Sequence, residues 1–448
     1  MENFKCVSYE KGSALAQPFD YIIIDDSTGK IVKTGTKVKD NINEAEYTKI
    51  NLKGKLLLPG FINGHMHLYS TFARGMDIKA EVPPRNFLEI LNKVWWRLDK
   101  KLNDEDNFLS AQVALLDSLK CGVTTVFDHH ASPFALKGSL DILEKAAEEI
   151  GIRTCLCYET SDRDGEKIAD EGIEENVRYI KKCNKADNPM RKALFGMHAS
   201  ITVSDKTAKK IAEAASNLNT GYHVHVCEDK ADLNDSTAKY GRSVVERFND
   251  EGLCNSKSIF AHCVHAYQSD FDIMAKKGNF IAHNSHSNMS NAVGILDIPM
   301  ALSKGAKVML GTDGFTPMMQ ESIKTAMVLQ KVSKLDPQYL SYPEMQSVYF
   351  KNNFALATEF FGMHYEKAFG EIAEGAPADL ICVDYFAPTK INDFNFLGHF
   401  LFGISTRPVT DVFVAGKYLI KNGEFTMFSE QELAKKAQKA SKKFWEKF

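Results

Sequence analysis

The chain has 448 residues, a length that suits one large domain with a smaller companion. Its 44% hydrophobic and 25% charged residues are those of a globular protein with a buried core and a solvated surface. The net charge of -3 excludes a global field that would draw the chain to nucleic acid or to an anionic membrane.

The first twenty residues hold no apolar core of signal-peptide length, and no later run approaches the roughly 20 apolar residues that span a bilayer. Residues 19-34 (FDYIIIDDSTGKIVKT) read as a hairpin turning at Ser27-Thr28-Gly29. Short apolar runs then recur at 56-62, 123-128, 153-158, 193-198, 221-227, 258-263, 279-284 and 307-312. Helix-sized segments such as 104-121 and 205-218 separate most of them. Strands alternating with helices predict a parallel sheet, and eight such units suit a closed (β/α)8 TIM-like barrel over residues 59-368. Short-strand character returns at 378-384 and 411-424, with Gly at the turns, and 429-448 reads as a charged helix. The expected α/β fold is therefore this barrel plus a small composite β-sandwich domain built from 1-58 and 369-448. Nine cysteines, odd in number and without a CxxC pair, predict reduced thiols in a cytoplasmic protein.

Polar residues fall where such barrels do chemistry, at the C-terminal ends of the strands. Of thirteen histidines, His65, His67, His198, His225, His262 and His283 all stand there, where chance would scatter them. His65 and His67 follow the first strand, and in extended chain residues two apart point the same way. His223 and His225 share a face of the fifth strand, so either can supply a ligand. His225 is preferred, because it lies nearer the strand end and places Glu228 three residues on. Asp313 ends the eighth strand within LGTDG, where a buried carboxylate needs a partner that a metal ion supplies. Three nitrogens and one oxygen suit one Zn²⁺ with a position open for water, and Fe²⁺ or Mn²⁺ also fit. Glu228 stays free to move protons, and His262 reaches the water instead of the ion. Trp95, Trp96, His129, His130 and Tyr158 offer flat surfaces or hydrogen bonds for a heterocycle. His129 and His130 are consecutive, so at most one faces the site; His130 is taken as the contact, with Trp95 and His283.

These residues sit in motifs. PGFINGHMH (59-67), HVHVCE (223-228), AHCVH (261-265) and GTDG (311-314) resemble the amidohydrolase superfamily. Within it they are similar to the cytosine deaminase, guanine deaminase and chlorohydrolase branch. The likeness spans nearly the whole chain, including KCGVTTV (120-126), AHNSHSNMSN (282-291) and GEIAEGAPADLICVD (370-384). A narrower likeness, at 71-86, 94-102 and 127-133, is to bacterial aminohydrolases tied to purine breakdown.

The resemblance implies that His65, His67, His225 and Asp313 hold the metal, that Glu228 shuttles protons and that His262 hydrogen-bonds the hydrolytic water. It also places His198, in GMHASITVS, against the substrate. Two departures border that substrate: GMHASIT replaces a Pro-rich segment, and HNSHSN replaces HNPxSN. Binuclear members carry a carboxylated Lys at the end of strand 4; here that end reads Phe195-Gly196-Met197-His198, so one ion is expected. The His-x-Glu and Pro-Cys-x-x-Cys signature of base-flipping zinc deaminases is missing.

The expected function is attack of metal-activated water on a C–N bond of a purine- or pyrimidine-like heterocycle, releasing ammonia. A ring-opening cyclic amidohydrolase of purine catabolism is the nearest alternative. A non-catalytic metal-binding scaffold is a third, and it leaves Glu228 and His262 without a use. The expected partner is this small molecule, with no nucleic acid and no membrane; homodimers are common in the branch.

Overall fold

The computed structural model describes residues 5-10, 13-17, 20-36, 47-52 and 54-448. The chain starts with strands β1 (Lys5–Glu10) and β2 (Ser13–Gln17), then the hairpin β3 (Tyr21–Asp25) and β4 (Lys30–Gly35). Asp25 pins that turn, its Oδ1 accepting from the Ser27 amide at 2.9 Å and the Ser27 hydroxyl at 2.7 Å. The apolar run expected as one strand at 56-62 is two. β5 (Leu56–Pro59) and β6 (Phe61–Met66) meet at Gly60, whose amide donates to Asp379 O at 2.9 Å.

Parallel strands β6, β7 (Val123–Asp128), β8 (Arg153–Leu156) and β9 (Arg191–Ala193) form one arc of the barrel. β10 (Phe195–Ala199), β11 (Tyr222–Val226), β12 (Ile259–His262), β13 (Phe280–His283) and β14 (Lys307–Leu310) form the other. The fourth barrel strand is thus broken at Leu194: β9 pairs with β8, and β10 pairs with β11. One seam closes through His198 N→Thr160 O (3.0 Å), the other through Thr312 N→His65 O (2.9 Å) and Asp313 N→His65 O (3.0 Å). β6, β7, β8 and β10 are buried along their whole length, as parallel strands covered on both faces must be.

β15 (Leu380–Val383), β16 (Val409–Val414), β17 (Lys417–Lys421) and β18 (Glu424–Phe425) return to the other end of the chain. They build one seven-stranded sheet in the order β18-β17-β16-β15-β5-β1-β2. Ile22 and Ile31 of the hairpin pack on Leu57, Leu380, Cys382 and Phe413 of this sheet, forming the sandwich core. Successive side chains of a strand face opposite ways, so Leu56 and Leu58 join the barrel core while Leu57 joins the sandwich. The fully buried Arg153 guanidinium ties the barrel floor to this domain through Asp379 and through Tyr365 Oη at 2.9 Å. The terminal helix Glu430–Lys447 returns to the barrel, where Trp445 Nε1 donates to Phe72 O at 2.7 Å. Among the described residues no helix is long and apolar enough to cross a membrane.

Candidate active site

The ends of β6, β11 and β14 bring His65, His67, His225 and Asp313 together. His67 Nε2 lies 3.0 Å from Asp313 Oδ1 and 3.2 Å from His225 Nε2, and His65 Nε2 lies 3.8 Å from Asp313 Oδ1. The far side of each first-strand imidazole is engaged. His65 Nδ1 meets His223 Nε2 at 2.8 Å, and His67 Nδ1 donates to His129 O at 2.5 Å. Such outer contacts fix ring orientation and leave Nε2 for the ion. The opposite His65 nitrogen, Nε2, is fully buried without a hydrogen-bond partner. A buried unpaired nitrogen is costly, and a metal ion removes that cost.

Backbone geometry serves the same convergence. Asp313 sits at φ +59° and His262 at φ +71°, left-handed conformations that are uncommon for such residues and are held by the packing around them. Gly311 permits the close approach of β14 to β6: a Cβ there would fall 2.5 Å from Asn284 Oδ1 and 2.8 Å from His65 Cβ.

Burial holds His65 and His225 well below the ordinary imidazole range, so both are neutral and able to coordinate. Burial also opposes the charge on His67, but Asp313 and Glu159 outweigh it and push it up to about 9. Burial would raise Asp313, yet His67, His262 and His65 hold its carboxyl well below the usual range. Three nitrogens with one carboxylate are the donor set of a zinc site.

Beside that set, Glu228 Oε2 and Asp313 Oδ2 each lie 3.5 Å from His262 Nε2. Asn288 Oδ1 accepts the His262 Nδ1 proton at 2.8 Å, leaving Nε2 as an acceptor. Ser287 Oγ donates to Asp313 Oδ2 at 2.6 Å, and Asn291 Nδ2 donates to Glu228 Oε1 at 3.2 Å. Burial, then the nearby Asp313, pushes the Glu228 carboxyl well above the usual range.

These groups open into a cavity walled by Phe87, Leu91, Trp95, Trp96 and Phe315. His198 and Glu159 border it, and the Trp96 ring meets the His198 ring edge-on at 6.0 Å. Thr202 Oγ1 holds His198 Nδ1 at 2.6 Å. His130 and His283 are placed otherwise than as cavity contacts. His130 alternates to the far side of its strand end, bonding Ser132 Oγ at 2.8 Å between Tyr69 and Tyr158. His283 is fully buried, and neither ring nitrogen has a partner.

Two residues passed over in favour of their neighbours, His129 and His223, and one not named from the sequence, Glu159, stand near the ion position. His129, not His130, turns inward, its ring 5.6 Å from His67 and 4.7 Å from His225. His223 supports His65. Glu159 stands 3.1 Å from His129 Nδ1 and 3.5 Å from His67 Nδ1. Burial raises Glu159, but His129, His198 and His67 outweigh it and hold it well below the carboxylate range. His67, His129, Glu159 and His225 also gather closely enough to hold a cation, as do His65, His67 and Asp313. The signal that could have found Glu159 is the one that found the histidines, a polar residue just past a barrel strand.

Comparison with known proteins gives the family and the fold. Residues 56-419 match the Amidohydrolase family. The chain is 30% identical over 416 residues to a 5'-deoxyadenosine deaminase of Methanopyrus kandleri, covering 92% of each protein. Its fold is similar to an adenosine deaminase from Xanthomonas campestris with bound zinc (TM-score 0.78, 20% identity, 99% and 98% coverage). It is also similar to a variant of the atrazine chlorohydrolase of Arthrobacter aurescens in complex with zinc and atraton (TM-score 0.80, 21% identity, 98% of each chain). A match over most of the length, on a barrel whose strand ends carry this histidine and carboxylate cluster, makes the chain a member of the amidohydrolase family, hydrolases of non-peptide carbon–nitrogen bonds.

Proposed function

We propose that this protein deaminates a purine-like heterocycle, using one divalent ion, zinc above all, held by His65, His67, His225 and Asp313. The observation that carries the reading is the convergence of Glu228, His262 and Asp313 beside the four ligands and at the mouth of an aromatic cavity. A scaffold that merely stored an ion would have no use for it.

When bound, the ion supplies Lewis acidity that makes water a nucleophile near neutral pH. His262 Nε2 and Asp313 Oδ2 orient that water and draw off its proton. Glu228, kept protonated by burial, donates to the ring nitrogen next to the amino-bearing carbon; it then takes the water's proton from His262, 3.5 Å away, passes it to the departing amine, and recovers a proton from the new hydroxyl as the carbonyl forms. Trp95, Trp96 and His198 hold the flat ring. The C–N bond to the amino group breaks, the C–O bond forms, and ammonia leaves.

The names of the relatives put adenine nucleosides first in a substrate panel, followed by free purines and pyrimidines. Zinc-loaded protein is incubated with each and read for ammonia and product mass. Exchange of an amino group for oxygen with release of ammonia supports the proposal. Gain of a whole water without ammonia shows ring opening and sinks it.

A further inference from the structure

Apart from the histidines, the charged residues of the cavity wall are carboxylates. Among the described residues bordering it are Asp99, Glu159, Glu228, Asp229, Asp232 and Asp313, and neither Lys nor Arg. Five of the six are accounted for. Asp99 is ion-paired with Arg163. Asp229 caps a helix, accepting from Ala231 N at 2.9 Å. Asp232 accepts from Ile201 N at 2.8 Å and Cys227 N at 2.9 Å. Glu228 and Asp313 serve the reaction.

Glu159 keeps one oxygen for a ligand. It is 4% exposed, and its Oε1 stands 3.1 Å from His129 Nδ1 and 3.5 Å from His67 Nδ1. Its other oxygen approaches His198 Nε2 only to 3.9 Å, beyond hydrogen-bond reach. Arg163, the nearest cation to this wall, sits behind Trp96, its guanidinium 5.5 Å over the ring, and does not border the cavity.

We propose that Glu159 is a specificity residue: it selects a neutral or cationic heterocycle that offers N–H or O–H donors beside His198, and it rejects substrates with an anionic substituent. This rests on the deaminase reading above. A donor on the ligand completes the hydrogen bonding of a buried carboxylate, which is costly to leave unmade. An anion in the same enclosed space meets a like charge with neither Lys nor Arg on the wall to offset it. Juxtaposed like charges in a desolvated site suppress the wrong partner strongly, so a preference of about 100-fold or more is expected.

The test uses the zinc-loaded full-length protein and three ligands that share one ring: adenosine, its 5'-carboxylate and 5'-amino-5'-deoxyadenosine. Kd is measured by titration calorimetry, and ammonia release is followed separately. The proposal expects the carboxylate to bind about 100-fold more weakly than the other two. It expects E159Q, checked for full zinc content, to shrink that ratio at least about tenfold. If E159Q loses zinc, the wild-type ratio decides alone. A carboxylate bound within about tenfold of adenosine, or a zinc-replete E159Q that keeps the whole ratio, overturns the proposal. Charge-selective binding without ammonia release sinks the deaminase reading and leaves this one standing. No binding by any of the three overturns both.

Discussion

His225 Nε2 faces His67 Nε2 across 3.2 Å, two ring nitrogens brought together by strands 158 residues apart in sequence. The carboxylate of Asp313 stands 3.0 Å from the same His67 nitrogen, and an ion lying against all three would join them. Exchanging His225 for Asn is expected to abolish stoichiometric zinc, read by elemental analysis. It should also abolish the thermal stabilisation that zinc gives the wild type, about 2.7 kcal/mol at 100-fold excess over Kd. Full zinc occupancy in H225N would remove His225 from the ligand set.

Glu228 is beside the ligands without being needed to hold the ion. E228Q keeps the shape and the Asn291 contact but loses the transferable proton. It is expected to retain zinc while kcat falls by about 10²–10⁴-fold on the best substrate of the panel. A variant with wild-type kcat would show that another group carries the proton.

Asp411, in the sandwich sheet, gives a stability prediction away from the ion. Its Oδ2 accepts from Lys55 Nζ at 2.5 Å and Thr410 Oγ1 at 2.7 Å, and Tyr418 Oη donates to Oδ1. Burial would raise its pKa, but Lys55, Tyr418 and Thr410 outweigh burial and hold it below its ordinary 3.8. A carboxyl depressed in the folded state adds stability that is present above its unfolded pKa and is lost as pH falls through the folded value. D411N is expected to cost about 1–3 kcal/mol at neutral pH in denaturant unfolding. That gap should close as pH drops below the carboxylate range, and a gap constant with pH contradicts the assignment.

Gly196 lies where the broken fourth strand crosses the third. A Cβ there would fall 2.2 Å from Tyr158 O and 2.6 Å from Tyr158 C, backbone atoms with little room to give. G196A is expected to lower stability by about 1–3 kcal/mol or more. Because Gly196 precedes His198 by two residues, KM should rise as well. An unshifted melting temperature would show that the strands relax apart freely.

The barrel and the polar residues gathered at its strand ends were legible because a parallel strand buried on both faces is a continuous apolar run, and a polar residue ending it stands out. His65, His67, His225 and Asp313 carry that signal, and LGTDG adds the glycine that close approach demands. The division at Gly60 was missed although Pro59-Gly60 is a turn signal inside the run 56-62; β15, more than 300 residues away in sequence, pairs with the part before it. The inward choice of His129 over His130 was hidden, since alternation says that neighbours part without saying which one turns in. Glu159 carries no motif, and its charge acquires meaning only from His129, His198 and His67, which three other strands deliver.

The central claim is where the ion sits, because the same pocket offers a rival set in His67, His129, Glu159 and His225. The direct measurement is anomalous diffraction at the zinc edge from zinc-loaded crystals. The account predicts one peak within about 2.0–2.2 Å of ring nitrogens of His65, His67 and His225 and of an Asp313 oxygen. A peak bonded to His129 and Glu159, with His65 and Asp313 left out, would contradict it.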